Sequence, residues 1–301
     1  MAEDAVKLTS ADRVLYPEDG VTKGDLFEYY RRVAHVMVPH LRDRPFTMKR
    51  YPHGITEQPF FQKQAPKHLP SWIPTRQFRT HPREGGSRLV DFALVNSVDA
   101  VLFMVQNNCI DMNAWYSRVD KPHRPDFVLF DLDPPEGEGA FGLAIEVAHL
   151  IRELLDEVGL PGCVKTSGAD GIHVVAPITR RSTFEQTYGF AEQAARLLER
   201  RHPGKLTTQW LKKKREGVLV DHRQNGWGKT IASVYSVRPK PGAPVSTPLH
   251  WDELVGRVRP RDFGMDAVLR RVDELGDLFA PVLEEPRPLA PAAKALDALT
   301  I

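Results

Sequence analysis

Apolar residues recur at helical spacing along several parts of the chain. Between Thr22 and Val38 they fall three or four positions apart, which predicts a helix with one buried face. Thr22 and Asp25 have the spacing of a capping box, and Thr183 with Gln186 repeats that spacing further along. The same periodicity predicts further helices at 96–106, 141–158, 183–201 and 266–278.

Short apolar runs bounded by turn residues predict strands at 109–115, 127–133, 218–221 and 231–237. The segment 44–90 is richer in proline, glycine and aromatic residues, which indicates short strands and turns. The stretch SGADG separates 164–166 from 173–176 and predicts a hairpin. Because strands and helices do not alternate strictly, we predict one composite α/β domain of the mixed α+β kind, with central mixed or antiparallel sheets flanked by helices. We expect it to span 1–285, followed by a loose Pro/Ala-rich tail at 286–301.

The composition is that of a soluble globular protein, since 42% of the 301 residues are hydrophobic and 27% are charged. The formal net charge of +2 neither requires nor excludes a nucleic-acid partner. Cys109 and Cys163 match neither a metal-ligand spacing nor a disulfide framework. The first residues lack the apolar core of a signal peptide, and no apolar run reaches the roughly 18 residues of a membrane span. We therefore predict a cytoplasmic protein.

The stretch VLFDLDPPEG carries an apolar run directly into two carboxylates. Asp131 and Asp133 are two positions apart in a predicted strand and so project from the same face. Neighbouring carboxylates repel unless a cation lies between them, and oxygen ligands suit Mg²⁺ or Mn²⁺. Asp221 follows another apolar run, and a third carboxylate would complete a two-metal site for phosphoryl chemistry. The alternative is that these aspartates only cap turns, and for Asp221 the two interpretations are equally supported.

Other motifs suggest contacts to phosphates and bases. In KTSGADGIH, Ser167, His173 and the turn amides could surround an anion, although an ordinary hairpin turn explains the same residues. Phe60 and Phe61 precede Lys63, a combination suited to base stacking along a charged backbone. In a strand, however, one phenylalanine of such a pair is expected to face the core. The basic run 212–215 is predicted to be a solvated loop, with a phosphate-contacting loop as the alternative.

Eight segments in order resemble the polymerase domain of the bacterial non-homologous end-joining ligase, a member of the archaeo-eukaryotic primase superfamily. They are LTSADRVLYP, TKGDLFEYY, MKRYPHG, QPFFQKQ, FDLDP, SGADGIH, VDHRQN and YSVR, and they span roughly residues 7–280. The resemblance implies a primase-polymerase fold and a template-dependent, DNA-directed nucleotidyltransferase. Such an enzyme adds nucleotides, preferably ribonucleotides, at DNA gaps or breaks using two Mn²⁺ or Mg²⁺ ions. Its implied partners are DNA with a 5′-phosphate end, nucleoside triphosphates, and a Ku-like protein with a separate DNA ligase.

The resemblance also implies roles for individual residues. The metal-binding catalytic triad would be Asp131, Asp133 and Asp221. The residues implied for nucleotide binding are Lys49, Phe61, Ser167, His173 and Arg238. Those implied for DNA are Arg13 and Lys23 at the 5′-phosphate, Phe60 and Phe61 in template stacking, and Lys63 as a further contact. The chain departs from the family at Asn113, where a histidine is usual, and at Asp170, where a lysine is frequent.

Two other classes of protein fit part of the sequence. LFDLD is similar to the nucleophile motif of haloacid-dehalogenase-like phosphatases, and VKTSG is similar to the second motif of that family. In those proteins the first motif lies near the chain start and continues with Gly-Thr, whereas Pro134 and Pro135 follow here. A non-catalytic module that binds DNA ends is the third class.

Overall fold

The structure is a computed structural model that describes residues 6–80, 88–211, 213, 215–254 and 258–300. Lys212 and Lys214 of the predicted basic loop lie outside the described residues. The chain divides into two compact units, one formed by 1–120, 230–246 and 263–277 and the other by 121–229, 247–262 and 278–301. No described helix is long and apolar enough to cross a membrane. The domain boundary expected at residue 285 stays a prediction.

The first unit contains a sheet of four antiparallel strands in the order β13–β7–β3–β4. Its helices and strands are β1 (Val14–Tyr16), β2 (Val21–Thr22), α1 (Lys23–Leu41), β3 (Phe46–Arg50), β4 (Phe60–Gln62), β5 (Thr75–Arg79), β6 (Leu89–Ala93), α2 (Val98–Gln106), β7 (Cys109–Trp115), β13 (Thr230–Ala232) and α5 (Met265–Leu275). Helix α1 begins with the predicted capping box, in which Thr22 and Asp25 exchange hydrogen bonds. Its apolar face is buried, as the periodicity predicts.

The second unit is built on six strands in the order β11–β12–β8–β10–β9–β14. Its elements are β8 (Phe127–Asp133), α3 (Ala140–Glu157), β9 (Cys163–Thr166), β10 (Ile172–Pro177), α4 (Phe184–Arg201), β11 (Leu206–Thr207), β12 (Val218–Val220), β14 (Pro248–Leu249), α6 (Pro281–Glu284) and α7 (Leu289–Thr300). Among the described strand pairs of this sheet, β11–β12 alone is parallel, so the sheet is mixed, as predicted. Helices α3 and α4 pack against this sheet and cover its buried strands.

The β9–β10 hairpin passes very close to the end of β8. A Cβ added to Gly171 would lie 2.3 Å from the carbonyl oxygen of Leu132, so only glycine fits at this position. Gly168 in the same turn has a φ of +70°, which also favours glycine. These two glycines fix the hairpin against the strand that carries the paired aspartates.

The strand predicted at 231–237 is shorter than expected and ends at Ala232. Tyr235 has a φ of +65°, which is incompatible with a continuing strand. The backbone there bonds both to tyrosines of α1 and to the backbone of 244–246. Tyr30 accepts from the Val237 amide, Tyr29 donates to the Tyr235 carbonyl, and the Tyr235 amide donates to the Ser246 carbonyl. Tyrosine side chains and one isolated bridge between Val237 and Val245 thus take the place of a continuous strand ladder.

The structure also differs from the loose tail expected at 286–301. Residues Leu289–Thr300 form helix α7, which packs against α4. Leu289, Ala292 and Leu296 are buried at positions i, i+3 and i+7, which is helical spacing. Pro291 does not prevent the helix because it lies in the first turn, where a missing amide proton costs nothing.

Candidate active site

Three carboxylates meet where strands β8 and β12 of the second unit end. Asp131 and Asp133 lie in β8, with Asp133 opposite Leu219 of β12. Asp221 follows β12 directly, and its amide donates to the Asp131 carbonyl oxygen at 2.8 Å. The pairing of β8 with β12 therefore brings the three carboxylates together at the ends of neighbouring strands, as predicted.

Turn capping explains only one of these aspartates. The Asp221 side chain accepts from the Arg223 amide at 3.1 Å and begins a short 3-10 turn. Helix α3, in contrast, begins after Gly139 without any side-chain cap, so Asp131 and Asp133 do not cap it. The capping alternative therefore accounts for part of Asp221 and does not explain the β8 pair as a cap of α3.

The carboxylates also influence one another electrostatically. Burial, followed by the negative charges of Asp131 and Asp221, raises the pKa of Asp133 to about 7. Burial and the charge of Asp131 likewise raise the pKa of Asp221. Arg215 opposes this effect at Asp133, whereas Asp170 strengthens it. The site therefore carries negative charge that nearby cations compensate only in part.

This donor set fits a divalent cation. Within the described residues, no group of three or more His, Cys, Asp or Glu side chains is already arranged as a metal site. The charge of Asp131 nevertheless raises the pKa of both Asp133 and Asp221, and hard oxygen ligands are those that Mg²⁺ and Mn²⁺ prefer. A divalent ion would relieve the repulsion that raises these pKa values.

His173 is buried beside Asp131, with Nε2 at 3.2 Å from Asp131 Oδ1. Its other ring nitrogen, Nδ1, lies 2.7 Å from the Nζ atom of Lys165. The sequence analysis did not single out Lys165, although it lies in the quoted KTSGADGIH segment. The predicted contact of His173 with a nucleotide stays a prediction.

Ser167 stabilises the glycine-rich turn from within. Its hydroxyl oxygen accepts from the amides of Ala169 at 3.1 Å and Gly171 at 3.0 Å. Two of the turn amides are therefore directed at Ser167, which agrees with the hairpin-turn alternative. The predicted role of Ser167 at a nucleotide stays a prediction.

In the first unit, a buried carboxylate links two of the predicted nucleotide-binding cations. Asp111 is 2% exposed and lies between Lys49 Nζ at 3.7 Å and Arg238 Nε at 3.5 Å. Burial and the Asp111 charge raise the pKa of the neighbouring Tyr51. Sequence reasoning missed Asp111. The signal is its position two residues before Asn113 in the same strand, which places both side chains on one face.

Asn113, the departure from the family histidine, turns towards its own strand. Its amide Nδ2 donates to the Asp111 carbonyl oxygen at 2.8 Å, and the residue is buried. The side chain therefore stabilises the segment that carries Asp111.

Phe60 and Phe61 are both exposed, at 45% and 63%, so the expectation that one of them faces the core is wrong. The reason is that β4 is an edge strand. Arg50 lies 5.2 Å from the Phe60 ring centroid, and Lys49 Nζ lies 5.4 Å from that of Phe61. Lys63, directly after this strand, is exposed as well. Exposed aromatic rings beside cations are suited to stacking on nucleic-acid bases.

The two cations predicted at a 5′-phosphate have different environments. Arg13 is exposed, and its guanidinium donates to the Pro52 carbonyl oxygen at 3.4 Å. Lys23 is buried at the start of α1, where its ammonium donates to the Thr9 carbonyl and to Gln106 Oε1. Burial, followed by the charge of Arg13, lowers the pKa of Lys23 to about 8. Lys23 is therefore not an ordinary surface cation.

The fold and the site define a polymerase domain. The structure is similar to a solved chain described as the polymerase domain from Mycobacterium tuberculosis Ligase D in complex with DNA, with a TM-score of 0.86 and 32% identity. That similarity covers 94% of this chain and 100% of the solved one. The family described as LigD, primase-polymerase domain, matches residues 22–279, and the chain belongs to this family.

Several curated relatives are described as multifunctional or bifunctional end-joining proteins. The multifunctional non-homologous end joining protein LigD of Mycolicibacterium smegmatis is 34% identical over 290 residues, which cover 95% of this chain and 37% of the relative. The bifunctional LigD of Bacillus subtilis is 28% identical over 284 residues, covering 94% of this chain and 45% of the relative. The chain thus spans less than half the length of these relatives.

Family membership confirms the predicted primase-polymerase fold and the predicted class of enzyme, a DNA polymerase or primase that transfers nucleotides. It also implies dependence on a divalent metal ion. The phosphatase alternative is wrong, because the segment with Asp131 and Asp133 lies inside the family match.

Proposed function

We propose that this chain fills gaps or extends ends in broken DNA by template-directed addition of nucleotides, with a preference for ribonucleotides. The observation that carries the proposal is the meeting of Asp131, Asp133 and Asp221 at the ends of adjacent strands, in a chain of the primase-polymerase family. Their shared negative charge is what a metal-dependent nucleotidyl-transfer site requires.

Asp131, Asp133 and Asp221 would hold two Mn²⁺ or Mg²⁺ ions. When bound, such ions activate the attacking hydroxyl and neutralise charge on the transferred phosphate. The protein prepares its ligands through fixed contacts. Asp131 is held by His173 at 3.2 Å, and Asp221 accepts from the Arg223 amide at 3.1 Å. These contacts limit the rotation of both carboxylates before any ion binds.

The incoming nucleotide would contact cations and aromatic rings of the predicted set. Lys49 and Arg238 are partly exposed, so each can approach phosphate oxygens from the side that faces away from Asp111. Phe61 offers an exposed ring for stacking. Ser167 and His173 complete the proposed set, with Ser167 as the candidate contact to the ribose.

The proposed macromolecular partner is gapped or broken duplex DNA with a 5′-phosphate. Arg13 and Lys23 would bind that phosphate, while Phe60, Phe61 and Lys63 would contact the template strand. The two phenylalanines support this assignment because an edge strand exposes both rings. A Ku-like protein and a separate DNA ligase remain proposed partners, and the cytoplasm remains the proposed location.

The test is single-nucleotide insertion on a labelled primer–template with a one-nucleotide gap and a 5′-phosphate. The wild-type protein is incubated with Mn²⁺ and each of the four ribonucleotides and deoxyribonucleotides, in parallel with Asp131→Ala. We expect templated insertion that favours ribonucleotides and is lost by orders of magnitude in the variant. DNA binding without insertion would instead indicate a non-catalytic module, and near-normal insertion by Asp131→Ala would contradict the metal assignment.

A further inference from the structure

A row of charged and polar side chains crosses the sheet of the second unit. Lys165 of β9 is opposite His173 of β10, and His173 is opposite Asp131 of β8. Residues opposite each other on antiparallel strands project to the same face. Lys165, His173 and Asp131 therefore form a continuous row that ends at a proposed metal ligand.

The row is connected by short contacts in a buried environment. Lys165 is 2% exposed and His173 is 3% exposed. The Lys165 Nζ atom lies 2.7 Å from His173 Nδ1, and His173 Nε2 lies 3.2 Å from Asp131 Oδ1. Each ring nitrogen is thus within hydrogen-bond distance of one side chain. The Lys165 ammonium can only donate a hydrogen bond, and the Asp131 carboxylate can only accept one.

These two neighbours determine which ring nitrogen of His173 carries the proton. A lysine ammonium has three donors and no acceptor, so the nitrogen facing it must carry the lone pair. The proton of a neutral imidazole must then be on Nε2, where it can be donated to the Asp131 carboxylate. Without Lys165, Nδ1 could carry the proton instead, and Nε2 would present a lone pair to Asp131.

We propose that Lys165 is a positioning residue that fixes the Nε2–H tautomer of His173 and thereby orients the Asp131 carboxylate for metal binding. The inference rests on the proposed function, since Asp131 matters in this way only as a metal ligand. Outer partners of this kind orient ligands, and their loss typically costs metal affinity or activity.

The tautomer is tested in metal-free protein by NMR of ¹⁵N-labelled histidine, with the His173 signals assigned by their absence in His173→Gln. Wild type should show a protonated Nε2 and an unprotonated Nδ1. Lys165→Met removes the donor at similar length, and we expect it to lose the single tautomer. Lys165→Gln retains an amide donor, and we expect it to keep the wild-type pattern. A wild-type pattern in Lys165→Met overturns the proposal.

Gap-filling kinetics test the consequence for the reaction. We expect Lys165→Met to lower kcat by about 10- to 100-fold, with KM for the nucleotide changed less than about threefold. Lys165→Gln should recover most of kcat. The matched control is Lys205→Met, which removes a lysine that is paired with Glu146 at 3.0 Å on the surface of the same unit.

The outcomes separate the two proposals. Wild-type kcat in Lys165→Met overturns the positioning role, and so does an equal loss in Lys165→Gln when its tautomer is retained. If the wild-type protein inserts no nucleotide at all, the proposed function fails, while the NMR experiment still decides the tautomer. If Lys165→Met does not fold, Lys165→Arg decides, because a guanidinium also has donors and no acceptor, so a changed tautomer in that variant overturns the proposal.

Discussion

Asp133→Asn should make the metal-free protein more stable at alkaline pH. In the folded protein the pKa of Asp133 is raised from 3.8 to about 7, first by burial and then by the charges of Asp131 and Asp221. A carboxyl with a raised pKa binds its proton more tightly in the folded state than in the unfolded one. The wild type therefore loses stability as the pH rises from about 4 to about 7, and the loss is complete above that range.

The pKa shift sets the size of the effect. Three pKa units correspond to about 4 kcal/mol, since each unit is worth about 1.4 kcal/mol. Asp133 retains contact with water, and solvent screening reduces the effect to roughly 1–2 kcal/mol. At about 2–4 °C per kcal/mol, the variant should melt several degrees higher than wild type above pH 7.

The assay is thermal unfolding in EDTA at about pH 4 and about pH 8.5, the ends of the titration window. We expect little difference at the acidic end and a clear gain for Asp133→Asn at the alkaline end. The matched control is Asp156→Asn, which removes an exposed carboxylate that pairs with Arg152 at 3.8 Å in α3. Mn²⁺ at alkaline pH should stabilise wild type more than Asp133→Asn. Equal melting temperatures of wild type and Asp133→Asn at alkaline pH would refute the reasoning.

Three further changes test individual contacts. Arg13→Ala combined with Lys23→Ala should remove the gain in affinity that a 5′-phosphate gives on gapped DNA. In wild type that gain in affinity should decrease above about pH 8, because Lys23 loses its proton there. If the gain survives the double substitution, the 5′-phosphate binds elsewhere. Asp170→Lys should lower KM for the nucleotide and also lower the pKa of Asp133, because a cation then replaces the carboxylate that raises this pKa. An unchanged KM places residue 170 away from the phosphates. Ser167→Ala should reduce the preference for ribonucleotides, and unchanged discrimination in the insertion assay assigns the 2′-hydroxyl contact to another residue.

The helices and strands that could be predicted from the sequence are those whose ends are set by residues within the same segment. Helix α1 begins at its capping box, and β8 has the predicted limits because an apolar run ends at charged residues followed by prolines. The segment 233–237 was mispredicted as a strand because its partners are distant in sequence. Tyr29 and Tyr30 bond that backbone from more than 200 positions away, which no local pattern reveals.

The site residues that stand in a recognisable motif could be predicted from the sequence. Those whose role depends on how two strands pair could not. Asp131, Asp133 and Asp221 each end an apolar run, so their meeting could be anticipated. Asp111 was missed because its importance depends on β3 and β7 pairing so that Lys49 lies opposite it. The exposure of both Phe60 and Phe61 was missed because a strand at a sheet edge has the same sequence pattern as one further inside.

Lys165 shows how a single turn sets the register of two strands. The hairpin turn closes between Ser167 and Gly171, whose backbones pair at 2.9 Å, so Thr166 must face Ile172 and Lys165 must face His173. Where a buried histidine lies opposite a lysine ammonium on the same sheet face, the ring nitrogen nearest the ammonium must be the acceptor. The closed SGADG turn therefore sets the pairing of Lys165 with His173. The remaining step, from His173 to Asp131, required the strand order of the sheet, because β8 and β10 are separated in sequence by helix α3.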